Sequence, residues 1–215
     1  MALFCANRLA IGTANWGQEY NGVKVPESEQ EKILDFCQEV GIDMIDTATA
    51  YEWDWTRLED YFKVIVKVSA GDDISAIKAA RPCWIMTHNL QELPCAKNIQ
   101  GASLYNVEDC LRLKFQYIDL LQVPYSLYDR RFESLLSMWK ECYVQIHVRS
   151  IFLRGRILEK ATPHECISFC LMNPNVDRVI MGVDSLQQLQ DNLAGLIKMD
   201  SLKVTDETIL DPRQW

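Results

Sequence analysis

The sequence lacks a long apolar run, an excess of positive charge and closely paired cysteines. No run approaches the roughly 18 apolar residues of a membrane span, and the opening MALFCANRLA has no apolar core of a signal peptide. The formal net charge of −8 disfavours nucleic acid or an anionic membrane surface as the main partner, because both attract positive charge. We therefore expect a cytoplasmic protein that binds neither.

The eight cysteines show no spacing typical of a disulfide framework or a zinc site. No CxxC pair occurs, and the closest two, Cys166 and Cys170, are four positions apart. On a helix these two would share a face, but no histidine or second cysteine pair completes a metal site there. We expect reduced thiols, most of them buried, and no metal centre.

Short apolar segments rich in Val, Ile and Leu alternate with amphipathic stretches along the whole chain. The apolar segments predict eight strands, at residues 9–14, 44–47, 64–69, 84–87, 101–104, 118–123, 144–150 and 179–183. The clearest helical stretch between them starts near Pro26 and ends at Gly41, a residue type common just after a helix. Further helices are predicted from Asn106 onward, over 131–140 and over 185–196.

Strands that are apolar on both faces and alternate with helices indicate a parallel sheet covered by helices. Eight such units without interruption favour a closed barrel over an open sheet. No Gly/Ser linker or low-complexity tract divides residues 1–215, so we predict a single α/β domain, a (β/α)8 or TIM barrel. The connections 51–64 and 90–101 leave room for only about two or three helical turns, which predicts shortened helices and loops.

Polar residues stand where three consecutive predicted strands end. Asp46 and Tyr51 follow the second strand, and Lys67 interrupts the apolar third strand. His88 closes the fourth. In a (β/α)8 barrel the carboxyl ends of the strands converge on one mouth, where the chemistry takes place. An ammonium group inside an apolar strand is costly unless it is paired, and Asp46 on the adjacent strand is the candidate partner of Lys67.

These residue types are suited to acid–base catalysis at a carbonyl group. A tyrosine hydroxyl ordinarily has a pKa of about 10, and a neighbouring cation lowers that pKa. Tyr51 would donate a proton to a carbonyl oxygen while a hydride reaches the carbon, with Asp46 holding Lys67. His88 would orient the substrate. Taken singly, each residue also has a structural interpretation, such as a turn-capping aspartate or a tyrosine at the rim.

The order of the motifs resembles that of the aldo-keto reductases over nearly the whole chain. The similar segments are LAIGTANWG, GIDMIDTATAY, VKVS, THN, GASLYN, LLQVPYSLYDRR, HVRSIFLRGRIL and VIMGVDSLQQLQDN. The seventh strand is similar to that of a bacterial subgroup with an HVRSIFLQG motif. The tetrad of that family carries over onto Asp46, Tyr51, Lys67 and His88. The resemblance implies hydride transfer from NADPH, or from NADH, to an aldehyde or ketone without a metal.

The resemblance also implies a cofactor site built from several parts of the chain. Ser103 and Gln122 would bond the nicotinamide carboxamide, the segment after the seventh strand would meet the pyrophosphate, and the last motif would surround the adenosine. The implied residues are Gly12, Thr13, Ala14, Ser103, Gln122, Arg149, Ser150, Leu153, Gly155, Gly182, Val183, Asp184, Ser185, Gln188, Asp191 and Asn192. Leu104 replaces the usual asparagine, and Arg149 stands where many members stack a tyrosine on the nicotinamide.

The choice of cofactor and substrate stays open at this point. The last motif contains no Lys or Arg, and Asp184 would repel the 2′-phosphate of NADPH, although Arg154 or Lys198 could reach in from outside it. Trp16 and Trp53 follow strands at the expected mouth, so we expect them to line the pocket of a small carbonyl substrate. We expect a monomer.

Two other functions remain compatible with the sequence. One is a catalytically weak or silent barrel that binds a nicotinamide nucleotide as a sensor or interaction subunit. The other is a lyase or isomerase that uses Lys67 as a Schiff base. His147, in the middle of the seventh strand, is interpreted as structural.

Overall fold

Eight parallel strands close into a barrel, each paired with its neighbours in chain order. The computed structural model describes residues 5–20, 22–90, 99–113 and 118–198. The strands are β1 Leu9–Gly12, β2 Met44–Ala48, β3 Lys63–Val68, β4 Trp84–Thr87, β5 Gly101–Ser103, β6 Leu120–Pro124, β7 Gln145–Arg149 and β8 Arg178–Gly182. Strand β8 closes the barrel by pairing with β1. The predicted (β/α)8 barrel is therefore confirmed, and each predicted strand overlaps an observed one.

Five α-helices occur in the described residues, and several connections hold only short 3₁₀ helices. The α-helices are α1 Glu27–Val40, α2 Ile74–Ala80, α3 Glu133–Glu141, α4 Pro163–Met172 and α5 Leu186–Ala194. Helix α1 begins after Pro26 and ends at Gly41, which has a left-handed φ of 88°, as the sequence predicts. Between β2 and β3 lie only the 3₁₀ turns Thr49–Tyr51 and Trp55–Arg57, in agreement with the predicted shortening.

The helix predicted from Asn106 onward is not an α-helix. Residues Val107–Arg112 form a 3₁₀ helix instead. A capping box between Asn106 and Asp109 marks its beginning, which is the signal that the sequence contains.

Inward-facing side chains divide the barrel interior into an apolar layer and a polar layer. The apolar layer consists of Ala10, Met44, Ile65, Met86, Leu120 and Ile180. Because alternate residues of a strand face the same side, the residues two positions further along face inward as well. On β2, β3 and β6 these are Asp46, Lys67 and Gln122, all buried. The polar groups thus lie one step nearer the carboxyl ends of the strands, where barrels place their chemistry.

The described cysteines are all free thiols. Cys37, Cys166 and Cys170 are buried, Cys142 is exposed, and the rest are partly buried. Cys95 lies outside the described residues. Within the described ranges, no cluster of His, Cys, Asp or Glu could hold a metal ion. No described helix is long and apolar enough to cross a membrane.

Candidate active site

A buried ion pair forms the base of the candidate site. Lys67 Nζ donates a hydrogen bond to Asp46 Oδ1, and the two side chains are 4% and 5% exposed. Gln122 Nε2 donates to the second carboxylate oxygen of Asp46 at 2.7 Å. Burial acts to lower the pKa of Lys67, but the charges of Asp46 and Tyr51 and the hydrogen bond outweigh it and raise that pKa. Lys67 is therefore held as a cation, and Asp46 is the carboxylate partner that the sequence predicts for it.

Tyr51 lies directly over this pair, in the 3₁₀ turn that follows β2. Lys67 Nζ is 5.4 Å from the centroid of the Tyr51 ring. The His88 ring contacts the Tyr51 ring edge-on, with 5.8 Å between centroids and 90° between planes. The structure thus brings together all four residues of the predicted tetrad.

The pKa of Tyr51 differs from the sequence-based expectation. Burial raises the pKa of the Tyr51 hydroxyl, and the Lys67 charge, which lowers it, does not compensate. The Asp46 carboxylate adds to the increase. Lys67 thus lowers this pKa, as the sequence predicts, but desolvation of the buried phenol is the larger effect, so the pKa is raised overall. Tyr51 stays protonated at neutral pH, which suits a proton donor.

A row of buried polar residues crosses strands β5, β6 and β7 beside the ion pair. Ser103 pairs in register with Gln122, and Gln122 pairs with His147. Within the described part of the chain, Ser103 Oγ, Gln122 Oε1 and both ring nitrogens of His147 are buried without a hydrogen-bond partner. Burial lowers the pKa of His147 to about 4, so its ring is neutral at pH 7.

These unpaired atoms fit a ligand that carries an amide. A carboxamide has both a donor group and an acceptor oxygen, which match the carbonyl oxygen of Gln122 and the hydroxyl of Ser103. The other end of Gln122 is already bonded to Asp46. Gln122 therefore has a second function that the sequence did not indicate, which is to hold the Asp46 carboxylate in place.

Arg149 is a further cation at the mouth, at the end of β7. Its guanidinium lies 4.4 Å over the ring of Tyr105. Nη2 donates to Leu104 O at 2.9 Å and Nη1 to Ser150 Oγ at 3.2 Å. Arg149 stands two positions beyond the buried His147 on β7, so it faces the mouth, and its charge lowers the pKa of the Tyr51 hydroxyl. Tyr105 was not singled out from the sequence, although it belongs to the GASLYN segment.

The residues at the end of the first strand that are assigned to the cofactor lie beside Asp46, but the one hydroxyl among them already donates a hydrogen bond within the protein. Gly12 pairs in register with both Asp46 and Gly182. Thr13 is fully buried, and its hydroxyl donates to Thr47 Oγ1 at 2.9 Å. The Thr13 hydroxyl therefore has no free proton for a ligand. Thr13 and Ala14 would contact a cofactor mainly through their backbone atoms.

The loop after β7 has an unusual backbone. Ser150, Leu153 and Arg154 are non-glycine residues with φ between 48° and 60°, and Gly155 has φ of 84°. Left-handed conformations of such residues cost free energy and cluster at functional sites. This is the segment that the resemblance assigns to the pyrophosphate.

A cavity of about 370 Å³ lies at the beginning of α5. Its lining includes four of the residues assigned to the adenosine, namely Ser185, Gln188, Asp191 and Asn192. The cavity is also lined by Phe152, Leu158 and Pro163, which the sequence does not indicate. Gly182, Val183 and Asp184 lead into this helix from β8.

Carboxylates crowd the beginning of α5. The backbone N–H of Leu186 donates to Glu29 Oε1 at 2.7 Å, and Asp184 Oδ1 accepts from Asn15 Nδ2 at 2.6 Å. Ser185 caps the helix by accepting from the backbone N–H of Gln188. The contact with Glu29 spans 157 positions in sequence, so no local pattern indicates it.

Trp16 and Trp53 contact each other edge-on, with ring centroids 4.8 Å apart. They line a groove of about 830 Å³ beside α1, and Trp53 Nε1 donates to Gln30 Oε1 at 2.9 Å. None of the four tetrad residues is among the described residues that line this groove. The expectation that the two tryptophans line the substrate pocket thus gains no support from the geometry.

Comparisons with known proteins identify the barrel but not the family of the sequence. No protein-family model matches the chain, and no curated protein is similar to it. A solved structure described as an aldo-keto reductase from Pseudomonas aeruginosa is similar, with TM-score 0.69, 19% identity, and coverage of 87% of this chain and 88% of that one.

Two further similar structures are also described as aldo-keto reductases. One, from Klebsiella pneumoniae, is in complex with NADPH; its TM-score is 0.65 at 16% identity, and 90% of this chain and 87% of that one are covered. The other is a thermostable protein in complex with the inhibitor epalrestat, with TM-score 0.65, 17% identity and 92% of each chain covered. At such low identity the likeness shows the fold.

Proposed function

We propose that the protein is an oxidoreductase of the aldo-keto reductase type, which reduces an aldehyde or ketone to an alcohol with NADPH or NADH. The observation that carries this proposal is the buried Lys67–Asp46 pair with Tyr51 directly over the Lys67 ammonium and His88 beside it. A buried ion pair of this kind is costly as a purely structural device, which favours a catalytic role for it.

Tyr51 acts as the general acid in this proposal. Its raised pKa keeps the hydroxyl protonated at neutral pH, so that it can donate a proton to the carbonyl oxygen of the substrate. As the proton leaves, negative charge develops on the phenol oxygen, and the Lys67 ammonium stabilises that charge. Asp46 holds Lys67, Gln122 holds the Asp46 carboxylate, and His88 orients the substrate oxygen.

The buried polar row provides the binding site for the cofactor. A bound nicotinamide nucleotide would supply the hydride, and Ser103 and Gln122 would hold its carboxamide through their unpaired atoms. The cavity beside α5 has room for a nucleotide end, and Ser185 and Gln188 lie on its wall. The similar Klebsiella structure is in complex with NADPH, which supports a nicotinamide cofactor here as well.

The test is the substitution Tyr51→Phe in the full chain. Loss of the hydroxyl should lower kcat by about 10²- to 10⁴-fold on aldehydes or ketones, because general acid catalysis contributes that much. The affinity for the cofactor should stay unchanged, since the ring remains in place. Tyr143, which is 95% exposed, offers the matched control Tyr143→Phe, with no expected effect. Full activity of Tyr51→Phe would contradict the proposal.

A silent nucleotide-binding barrel is the second candidate. At the beginning of α5 the backbone N–H of Leu186 already donates to Glu29 and that of Gln188 to Ser185. These hydrogen bonds weaken the attraction of the helix for a cofactor phosphate. This observation favours weak cofactor binding. Titration of the protein with both nucleotides, together with a carbonyl substrate screen, separates the candidates: binding without turnover supports the silent barrel.

A further inference from the structure

Arg149 is a cation at the mouth for which the described residues provide no carboxylate partner. Its two hydrogen bonds go to neutral acceptors, Leu104 O and Ser150 Oγ. Its Nε is buried and has no hydrogen-bond partner among the described residues. The neighbouring cations differ in this respect, because Lys67 is paired with Asp46 and Arg131 Nε donates to Asp129 Oδ1 at 2.8 Å.

A guanidinium in this situation attracts an anion. Withdrawing a charge from water is costly unless an opposite charge or hydrogen bonds replace the lost solvation, and the buried Nε–H of Arg149 has neither. Burial acts to lower the pKa of Arg149, in line with this cost, but arginine keeps its charge in proteins. An oxoanion that bonds to Nε would supply the missing partner.

The orientation of Arg149 is suited to a carboxylate. The Tyr105 ring supports the plane of the guanidinium at 4.4 Å, and the bond to Leu104 O holds one of its terminal nitrogens. Each terminal nitrogen has two hydrogens, so Nε and an adjacent terminal nitrogen can still present an edge with two donors. Such an edge matches the two oxygens of a carboxylate.

We propose that Arg149 binds the carboxylate of the substrate, so that the protein reduces an oxo acid in preference to a neutral carbonyl compound. This inference rests on the proposed function. Arg149 at the end of β7 and Tyr51 in the turn after β2 face the same mouth, so a carboxylate bound to the guanidinium would bring the carbonyl group of the same small molecule towards the Tyr51 hydroxyl. The carboxylate itself does not react.

The reaction of an oxo acid at this site balances without a further reagent. A hydride from the reduced nicotinamide forms the new C–H bond at the carbonyl carbon, and the π electron pair of the carbonyl moves to its oxygen. That oxygen takes the proton from Tyr51, and solvent returns a proton to the phenolate. The products are a hydroxy acid and the oxidised nucleotide.

The pyrophosphate of the cofactor is the other possible source of an oxoanion for Arg149. The loop at Ser150–Gly155, with its left-handed residues, is the segment that the resemblance assigns to the pyrophosphate. Arg149 contacts the Tyr105 ring and stands two positions beyond the buried His147 on β7, so it lies on the inward face of that strand, at the mouth that also holds the tetrad. This geometry favours the substrate carboxylate.

The kinetic test compares oxo acids with their methyl esters, using the 2-, 3- and 4-oxo acids of one chain type. In the wild type, kcat/KM for the best acid should exceed that for its ester. Arg149→Gln should lower kcat/KM for the acid by about 10- to 100-fold, which is the usual effect of losing hydrogen bonds to a charged group. The ester should lose clearly less than the acid, so that the ratio of kcat/KM for acid over ester falls. Equal losses for acid and ester would overturn the proposal.

A binding measurement keeps the inference separate from catalysis. Oxamate, a carboxylate that is not reduced, and inorganic pyrophosphate are titrated calorimetrically into the wild type, Arg149→Gln and Arg130→Gln. Arg130 is the matched control, because it also lies over an aromatic ring and also has a buried guanidinium nitrogen without a partner among the described residues, but the ring is that of Phe169 on α4 and not one at the barrel mouth. Of the two substitutions, only Arg149→Gln should lower the affinity for oxamate. The affinity for pyrophosphate should be the same in Arg149→Gln as in the wild type. Loss of pyrophosphate binding with unchanged oxamate binding would assign Arg149 to the cofactor and overturn the proposal.

The two measurements also distinguish the failure of this inference from failure of the proposed function. If no carbonyl compound is reduced but oxamate binding depends on Arg149, the proposed reaction is wrong and the carboxylate site stands. If neutral carbonyl compounds are reduced and Arg149→Gln binds oxamate as tightly as the wild type, the proposed reaction stands and the carboxylate site is wrong. Arg149→Lys, which keeps the charge without the planar fork, should recover part of the oxamate affinity and exclude misfolding as the cause of a loss.

Discussion

Gly17 packs its α-carbon against the backbone of Tyr51. A Cβ at position 17 would lie 2.2 Å from the Tyr51 carbonyl oxygen and 2.4 Å from the Glu52 carbonyl oxygen, distances that no side chain tolerates. The chain also turns sharply there, since Glu52 has a left-handed φ of 54°. This contact joins the turn after β1 to the turn after β2, the turn that carries Tyr51.

Gly17→Ala should therefore impair catalysis through the position of Tyr51. A shift of about 1 Å in a catalytic group can lower the rate by roughly 10²-fold, so we expect a fall in kcat of that order. The matched control is Gly41→Ala at the end of α1, where the left-handed φ makes alanine cost about 1 kcal/mol of stability without touching Tyr51. If Gly17→Ala keeps the kcat and the stability of the wild type, the turn accommodates the methyl group without displacing Tyr51, and the prediction is wrong.

Lys67→Met should change both the stability and the pH dependence of the enzyme. The variant leaves the buried Asp46 carboxylate without its cation, which typically costs about 3 to 5 kcal/mol. The double variant Asp46→Asn/Lys67→Met should recover much of this loss, because no unpaired charge then remains. Urea unfolding of the single and double variants measures the difference, with the exposed Lys63→Met as control.

The pH profile of Lys67→Met follows from the sign of the Lys67 effect. The Lys67 charge lowers the pKa of Tyr51, although burial prevails and raises it overall. Oxidation of an alcohol, the reverse reaction, requires the ionised phenol, so its rate rises as pH approaches that pKa. Without Lys67 the pKa increases further, and the rising limb should move to higher pH. If the rate of the variant rises at the same pH as that of the wild type and full activity is kept, Lys67 has no part in the mechanism.

His147 should make the protein less stable in mild acid. Its pKa is about 4 in the folded protein against an ordinary value of 6.5, so below pH 6.5 the unfolded chain binds a proton that the folded chain does not. The free energy of unfolding should therefore fall between pH 6.5 and 4, by up to about 3 kcal/mol from this residue. His147→Leu should flatten that part of the curve. His164→Leu, at an exposed histidine, should leave the slope unchanged.

Asp184 should oppose the 2′-phosphate of NADPH. Asp184 is exposed at the beginning of α5, where Glu29 accepts a hydrogen bond from the backbone N–H of Leu186. Arg154, a cation proposed to reach in from outside the motif, lies over the Tyr20 ring at 5.5 Å. Asp184→Asn should improve the affinity for NADPH relative to NADH by about 2- to 5-fold, the size of a surface charge effect. Glu141→Gln, on the exposed end of α3, controls for net charge. An unchanged ratio of dissociation constants would place the 2′-phosphate elsewhere.

Several features of the site were not predictable because they depend on contacts distant in sequence. The contact between Glu29 and the beginning of α5 and the bond from Gln122 to Asp46 join residues 157 and 76 positions apart. The direction of the Tyr51 pKa also depends on such contacts, since it reflects how completely the assembled barrel removes the hydroxyl from water.

The sequence by itself determined the barrel and the group of residues at its mouth. Apolar runs on both faces of each strand require helices to cover the sheet, and strand ends in a closed parallel barrel must meet on one rim, so Asp46, Lys67 and His88 had to converge. Only the tertiary structure decided how these groups behave. Burial, which raises the pKa of Tyr51 and leaves Arg149 without a charged partner among the described residues, arises from packing of all eight strands together.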